Sequence, residues 1–214
     1  MKNNLYILLA IAFSLQTCQP KDHHKDDLSY SSGEMAECSV KVHSHETMKT
    51  QDPGDGSVFH LESVWKNQTG KDIILEDFGG KITIVSMIYT HCQYACPRIV
   101  ADMEAIKKDL ALKGVEEVNY VLISLDPARD TPDRLMEFHK ENKFDDTWTL
   151  LCGDAESVME MAAVLGVKFK AVSETDYSHS NLITILSPGG DIMHRQEGLG
   201  SSPDETVEFI SINM

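Results

Sequence analysis

No apolar run in this sequence is long enough to cross a membrane comfortably. Leu5 to Leu15 comes nearest, yet it falls short of the roughly 20 residues a spanning helix needs and has the proportions of a secretion-signal core. Positive charge is scarce: 19 Lys and Arg stand against 34 Asp and Glu, a formal net charge of −15. That balance argues against a nucleic-acid partner and against a polybasic grip on anionic lipid. Cysteine is sparse and odd in number. The five thiols, Cys18, Cys38, Cys92, Cys96 and Cys152, are too scattered to form a disulfide framework. There is no internal repeat and no Met-X-X-Met run; Met159 and Met161 are expected to pack from a helix. What is present, 42% hydrophobic and 25% charged residues in a chain of 214, suits one globular domain with a leader in front.

That leader begins with the short charged stretch Met1-Lys2-Asn3-Asn4. After the apolar run, Leu15-Gln16-Thr17-Cys18 resembles the lipobox of bacterial lipoproteins, with Thr17 where Gly, Ala or Ser is usual. The reading is a lipoprotein-type signal peptide over residues 1–17 and a lipid on Cys18; a plain signal or uncleaved anchor is the alternative. Each places the remainder on the extracytoplasmic, periplasm-facing side of a bacterial membrane, an oxidising setting for thiols. Residues 18–54 are polar and aperiodic and read as a flexible tether. His23, His24, His43 and His45 are expected to be solvated there, and Cys38 receives no role.

The folded domain is expected over 55–214. Val58 to Leu61 and Ile73 to Leu75 flank Asn67-Gln68-Thr69-Gly70 and read as a hairpin with a glycine turn. Ile82 to Tyr89 and Val118 to Leu125 are apolar, β-branched runs typical of buried strands. Ile99, Val100, Met103, Ile106 and Leu110 recur at helical spacing. Thr131-Pro132 is a helix start, Thr as cap and Pro in the first position. A short strand at Trp148 to Leu151, a helix from Asp154 to Leu165, an extended Val167 to Phe169, a hairpin of 180–186 with 191–194, and a helix near 203–210 complete the order. It is that of a thioredoxin-like α/β fold: a central mixed sheet flanked by helices, with an N-terminal β-hairpin.

Between the first buried strand and its helix lies Thr90-His91-Cys92-Gln93-Tyr94-Ala95-Cys96-Pro97. The positive end of the helix favours thiolate over thiol. A four-residue offset on a regular helical turn places two Cβ atoms roughly 5–6 Å apart. One metal ion could bridge such a pair, or a disulfide could form after modest adjustment. The stretch reads as a soft-metal or redox site.

Two other segments carry groups suited to the same site: Ser124-Leu125-Asp126-Pro127 and Asp176-Tyr177-Ser178-His179-Ser180. Together, Thr-X-Cys-X3-Cys-Pro (90–97), Ser-X-Asp-Pro-X-X-Asp-Thr-Pro (124–132), His-Ser (179–180) and Glu-Gly-Leu-Gly (197–200) resemble the Sco/SenC family over about residues 57–211. The resemblance implies a membrane-anchored, thioredoxin-like copper protein. Cys92 and Cys96 match the family's copper-binding thiolates and double as a redox-active pair, His179 matches its histidine ligand, and Asp126 matches an acidic residue beside the metal. It implies delivery of copper, Cu(I) or Cu(II), to the copper-receiving subunit of a haem–copper oxidase for its binuclear centre. A copper donor or thiol reductase would act upstream.

The chemistry agrees with that implication. Two thiolates and an imidazole form a soft three-coordinate set suited to Cu(I). Zinc prefers four ligands, and no fourth is evident. The Cys-X3-Cys spacing also departs from the Cys-X2-Cys of ordinary disulfide exchangers. A thiol–disulfide oxidoreductase reducing a partner's cysteines is the alternative function. A peroxidase is weaker, because Pro-X3-Thr/Ser-X2-Cys is missing around Cys92. His91 and Tyr94 are expected to border the site, and Arg129 and Asp130 to pair and shape their loop. His60, His139 and His194 are expected to be structural or exposed, and Cys152 a packing residue in a loop.

Overall fold

Seven strands form one mixed sheet in the order β2-β1-β5-β4-β3-β8-β9. They are β1 (Trp65–Asn67), β2 (Asp72–Ile73), β3 (Ile82–Ile88), β4 (Val118–Ser124), β5 (Trp148–Cys152), β8 (Leu182–Leu186) and β9 (Ile192–Glu197). Between β5 and β8 the chain makes a separate two-stranded ribbon, β6 (Phe169–Ala171) with β7 (Tyr177–His179). The computed structural model describes residues 54–92, 94–173 and 176–214; the expected signal peptide, Cys18, Cys38 and the histidines at 23, 24, 43 and 45 lie outside them.

At the centre, β3 runs parallel to β4 and antiparallel to β8, with Val85 opposite both Val121 and Thr184. Side chains on a strand alternate between its faces, and so these apolar runs feed two cores at once. Ile84, Ile88, Tyr120, Leu122, Trp148 and Leu150 meet α1 (Ala95–Leu112), α2 (Pro132–Glu141) and α4 (Asp204–Ile212). Val85, Met87, Val121, Ile123 and Leu151 meet α3 (Ala155–Leu165) on the other face. The sheet's C-terminal edge at Ile88 and Ser124 is where the site is built.

Local chemistry sets several boundaries. Thr131 caps α2 by accepting the Arg134 N–H, with Pro132 at its first position, as expected from sequence. Asp154 caps α3 through the Ser157 N–H. Gly200, at φ +69°, donates its N–H to the buried Asp102 carboxylate of α1 at 2.7 Å, and a Cβ there would lie 2.5 Å from the Arg98 guanidinium. The Glu197–Gly200 loop is thereby moored to the cysteine-bearing helix.

Some expectations fail. Val58–His60 is a 3₁₀ turn, not the first arm of the hairpin. Ser57 accepts the Phe59 N–H and donates to Gly189 O at 2.6 Å, while Val58 N–H reaches Gly190 O at 3.0 Å. These contacts close a local turn and drive Val58 into the core. The hairpin is formed instead by β1 and β2, turned by Asn67, whose side-chain Oδ1 accepts the Thr69 and Lys71 N–H groups. Cys152 ends β5 instead of following it, and Met159 is 66% exposed while Met161 packs. Arg129 pairs with Asp126, not Asp130, because Asp130 is already engaged below the loop.

Candidate metal centre

The thiol-bearing turn is anchored before it reaches the first cysteine. Past the end of β3, the Thr90 N–H donates to Asp130 at 3.0 Å and its hydroxyl donates to the same carboxylate at 2.6 Å. Ser124, at the end of β4, donates to Asp130 at 2.6 Å, and Arg134 Nε donates to Thr90 Oγ1 at 3.0 Å. Leu125 N–H to Ile88 O, at 2.7 Å, extends the pairing of the two strands. Asp130 is 1% exposed. A carboxylate so enclosed is tolerated because donors surround it.

From this anchor the chain turns, with the Cys92 N–H on Tyr89 O at 3.2 Å. The Tyr94 side chain makes no capping hydrogen bond to α1. Cys92 supplies one: its sulfur accepts the Cys96 N–H at 3.4 Å and so satisfies a first-turn donor. Burial works against ionising Cys92, but hydrogen bonds from the Cys96 and Tyr94 amides, the Cys96 thiol and the Tyr89 hydroxyl outweigh it, and its pKa is lowered. Cys96 behaves oppositely. It is fully enclosed in the core, and burial, reinforced by the neighbouring Cys92, pushes its thiol pKa up.

His179 arrives from β7. Its Nε2 lies 3.7 Å from the Cys96 sulfur, and its Nδ1 is 3.1 Å from Ser180 O. A carbonyl can only accept, so Nδ1 carries the proton and Nε2 presents a lone pair to the sulfurs. Burial lowers the His179 pKa, which favours that neutral form. The Cys92, Cys96 and His179 donor atoms lie within 4.8 Å of one another. All three cysteines among the described residues are free thiols. The donors are soft or borderline and suit a d¹⁰ ion in a three-coordinate site.

Asp126 is not one of these three donors. It is 1% exposed, ion-paired with Arg129 Nε, and its N–H is held by Ser124 Oγ at 2.9 Å. With His91 and Asp130 it makes a second cluster of groups, whose carboxylates are already saturated by Thr90, Ser124 and Arg129. His91 and Tyr94 border the site: with Arg129 and Tyr177 they line an open cleft of about 660 Å³ that exposes Cys92 and His179. A larger groove of about 930 Å³ at the start of α3, lined by residues such as His60, Glu62 and Glu160, shares no residue with this cleft. His139 packs on Phe144, and His194 stacks on Phe209. Sequence reasoning did not single out Tyr89, which contacts both sides of the site. The available signal is an aromatic hydroxyl at the junction of the β3 run and the cysteine turn.

A family model described as SCO1/SenC matches residues 55–211. The SCO1 protein homolog of Bacillus subtilis (strain 168) is 26% identical over 147 residues, covering 67% of this chain and 76% of that protein. Bradyrhizobium japonicum ScoI, solved with copper bound, gives a TM-score of 0.61 at 25% identity over 71% of this chain and 97% of its own. BsSco, described as a member of the Sco family of cytochrome c oxidase assembly proteins with a disulfide switch, gives 0.58 at 24% identity, over 75% and 96%, a likeness of fold. The mixed sheet flanked by helices is the thioredoxin-like arrangement these structures share, as expected from sequence.

Proposed function

The chain belongs to the SCO1/SenC family, and from that premise we propose that it is an extracytoplasmic copper metallochaperone serving the binuclear copper centre of cytochrome c oxidase. The observation that carries this is the convergence of two thiols and one imidazole within 4.8 Å, opening on a cleft. Cys92, Cys96 and His179 hold the ion, which is cargo. The enclosed Cys96 forms the fixed side of the site, His179 offers an oriented Nε2 from the ribbon, and the partly exposed Cys92 forms the side a visitor meets. Three-coordination leaves room for a recipient's thiol to bond before a resident thiolate leaves, so transfer proceeds by ligand exchange. Asp126 acts indirectly, holding Arg129 at the cleft wall. Residues 1–17 serve as a lipoprotein-type signal, Cys18 as the lipid anchor and 18–54 as a tether. No helix among the described residues is long and apolar enough to cross a membrane.

A second reading rests on the contrast between the two thiols. Cys92, more acidic and more exposed, would attack a partner's disulfide and release its first thiol; Cys96 would then attack the Cys92 sulfur of the mixed disulfide and release the second. Two electrons pass to the partner, which leaves with two thiols, and a Cys92–Cys96 disulfide remains.

Copper titration of the reduced protein, beside Cys92→Ser/Cys96→Ser, decides between them. One tightly held ion per chain, lost in the double variant, supports the metallochaperone. No tight copper together with a readily cycled Cys92–Cys96 disulfide makes the reductase the better account. A protein lacking residues 1–54 is expected to unfold cooperatively; loss of that transition would move the proposed domain boundary.

A further inference from the structure

Tyr89 is the first residue past β3 and is 3% exposed. Its ring stands edge-on to Tyr177, centroids 5.4 Å apart at 67°, and to His179, 5.9 Å apart at 79°. Its hydroxyl lies 3.3 Å from Asp176 Oδ1 and 3.4 Å from Tyr177 O and receives the Tyr177 N–H at 3.5 Å, while its backbone carbonyl accepts the Cys92 N–H at 3.2 Å. Tyr89 therefore ties the two halves of the site, the cysteine turn through its carbonyl and the histidine ribbon through its hydroxyl and ring. The ribbon gains from such a tie, since among the described residues β6 and β7 pair with each other and not with the seven-stranded sheet. Among the described residues, His179 has polar contacts with Ser180 O and the Cys96 sulfur, and the first lies on the adjacent residue.

We propose that Tyr89 is the positioning residue of the centre: its ring and hydroxyl set where β7 presents His179 relative to the Cys92 sulfur. It bonds no cargo. It acts through Cys92 and His179, as hydrogen-bond partners of metal ligands do. This rests on the copper reading above, and the test separates the two by including a measurement that needs no metal.

Tyr89→Phe removes the hydroxyl and keeps the ring; Tyr89→Leu removes both. In the full-length protein, Tyr89→Phe is expected to keep one copper per chain, to release it about tenfold faster, and to move the thiolate-to-Cu(II) charge-transfer band. In the metal-free reduced protein, amide exchange at Tyr177 should rise about fivefold, while exchange at Val121 stays unchanged. Tyr89→Leu should enlarge both effects. Unaltered band, release rate and Tyr177 exchange in either variant would overturn the proposal. Wild-type protein that binds no copper would instead defeat the metallochaperone reading, and the exchange result alone would then decide the positioning role.

Discussion

The two halves of the centre are held in contrasting ways. The cysteine turn grows from the middle of the sheet and is fastened by a buried carboxylate, Asp130, to which Thr90 and Ser124 both donate. The histidine comes from a three-residue strand whose ribbon stands outside that sheet, with Phe169, Tyr177 and His179 half-buried and the strand residues between them exposed. One half is part of the domain's core and the other is attached to it. Changes to the first should therefore be felt as stability, and changes to the second as ligand geometry with the fold intact.

The largest expected effect falls on the attached half. His179→Ala should weaken copper binding by more than the roughly 10- to 100-fold that loss of a ligand's hydrogen-bond partner costs. Its unfolding free energy should change by about 1 kcal/mol or less, and the Cys92–Cys96 pair should remain oxidisable. Copper titration and denaturant unfolding on one preparation check both, and unchanged copper affinity would remove His179 from the site. Next, Asp130→Ala should cost about 3 kcal/mol of stability, since it strands the Thr90 amide and two hydroxyls in a buried place. A loss no greater than that of His179→Ala would erase the contrast between the halves. The smallest effect lies within the cysteine turn. In reduced metal-free protein Cys92, whose pKa is lowered, should be alkylated at lower pH than an ordinary cysteine, whereas Cys96, raised by burial, should lag until more alkaline pH. Mass spectrometry of iodoacetamide-treated protein across a pH series reads the order directly, and Cys96 reacting first would contradict it.

The same division governs what could be read from the chain. Ile82 to Ile88 and Val118 to Ser124 are legible because burial on both faces leaves no alternation to confuse. The α2 cap at Thr131-Pro132 is legible because it is made within four residues. Cys92 and Cys96 stand out for the same reason, at a junction that neighbouring residues define. The Val58 turn is not legible because its decisive partners, Gly189 and Gly190, are remote in sequence. Asp126 beside Arg129 is a local ion pair that the Asp-Pro motif does not announce. Strand β7 is not legible, its three residues lacking any apolar alternation. The bridge from Tyr89 to Asp176 and Tyr177 spans 87 and 88 positions, and no spacing rule reaches that far.

The enclosure of Cys96 has a consequence for traffic. With that sulfur sealed inside and Cys92 at the cleft, a donor loading the proposed copper site and a recipient unloading it must use the same doorway. They cannot both be seated at once. Loading and delivery become alternating visits, so an excess of donor should slow delivery just as an excess of recipient slows loading.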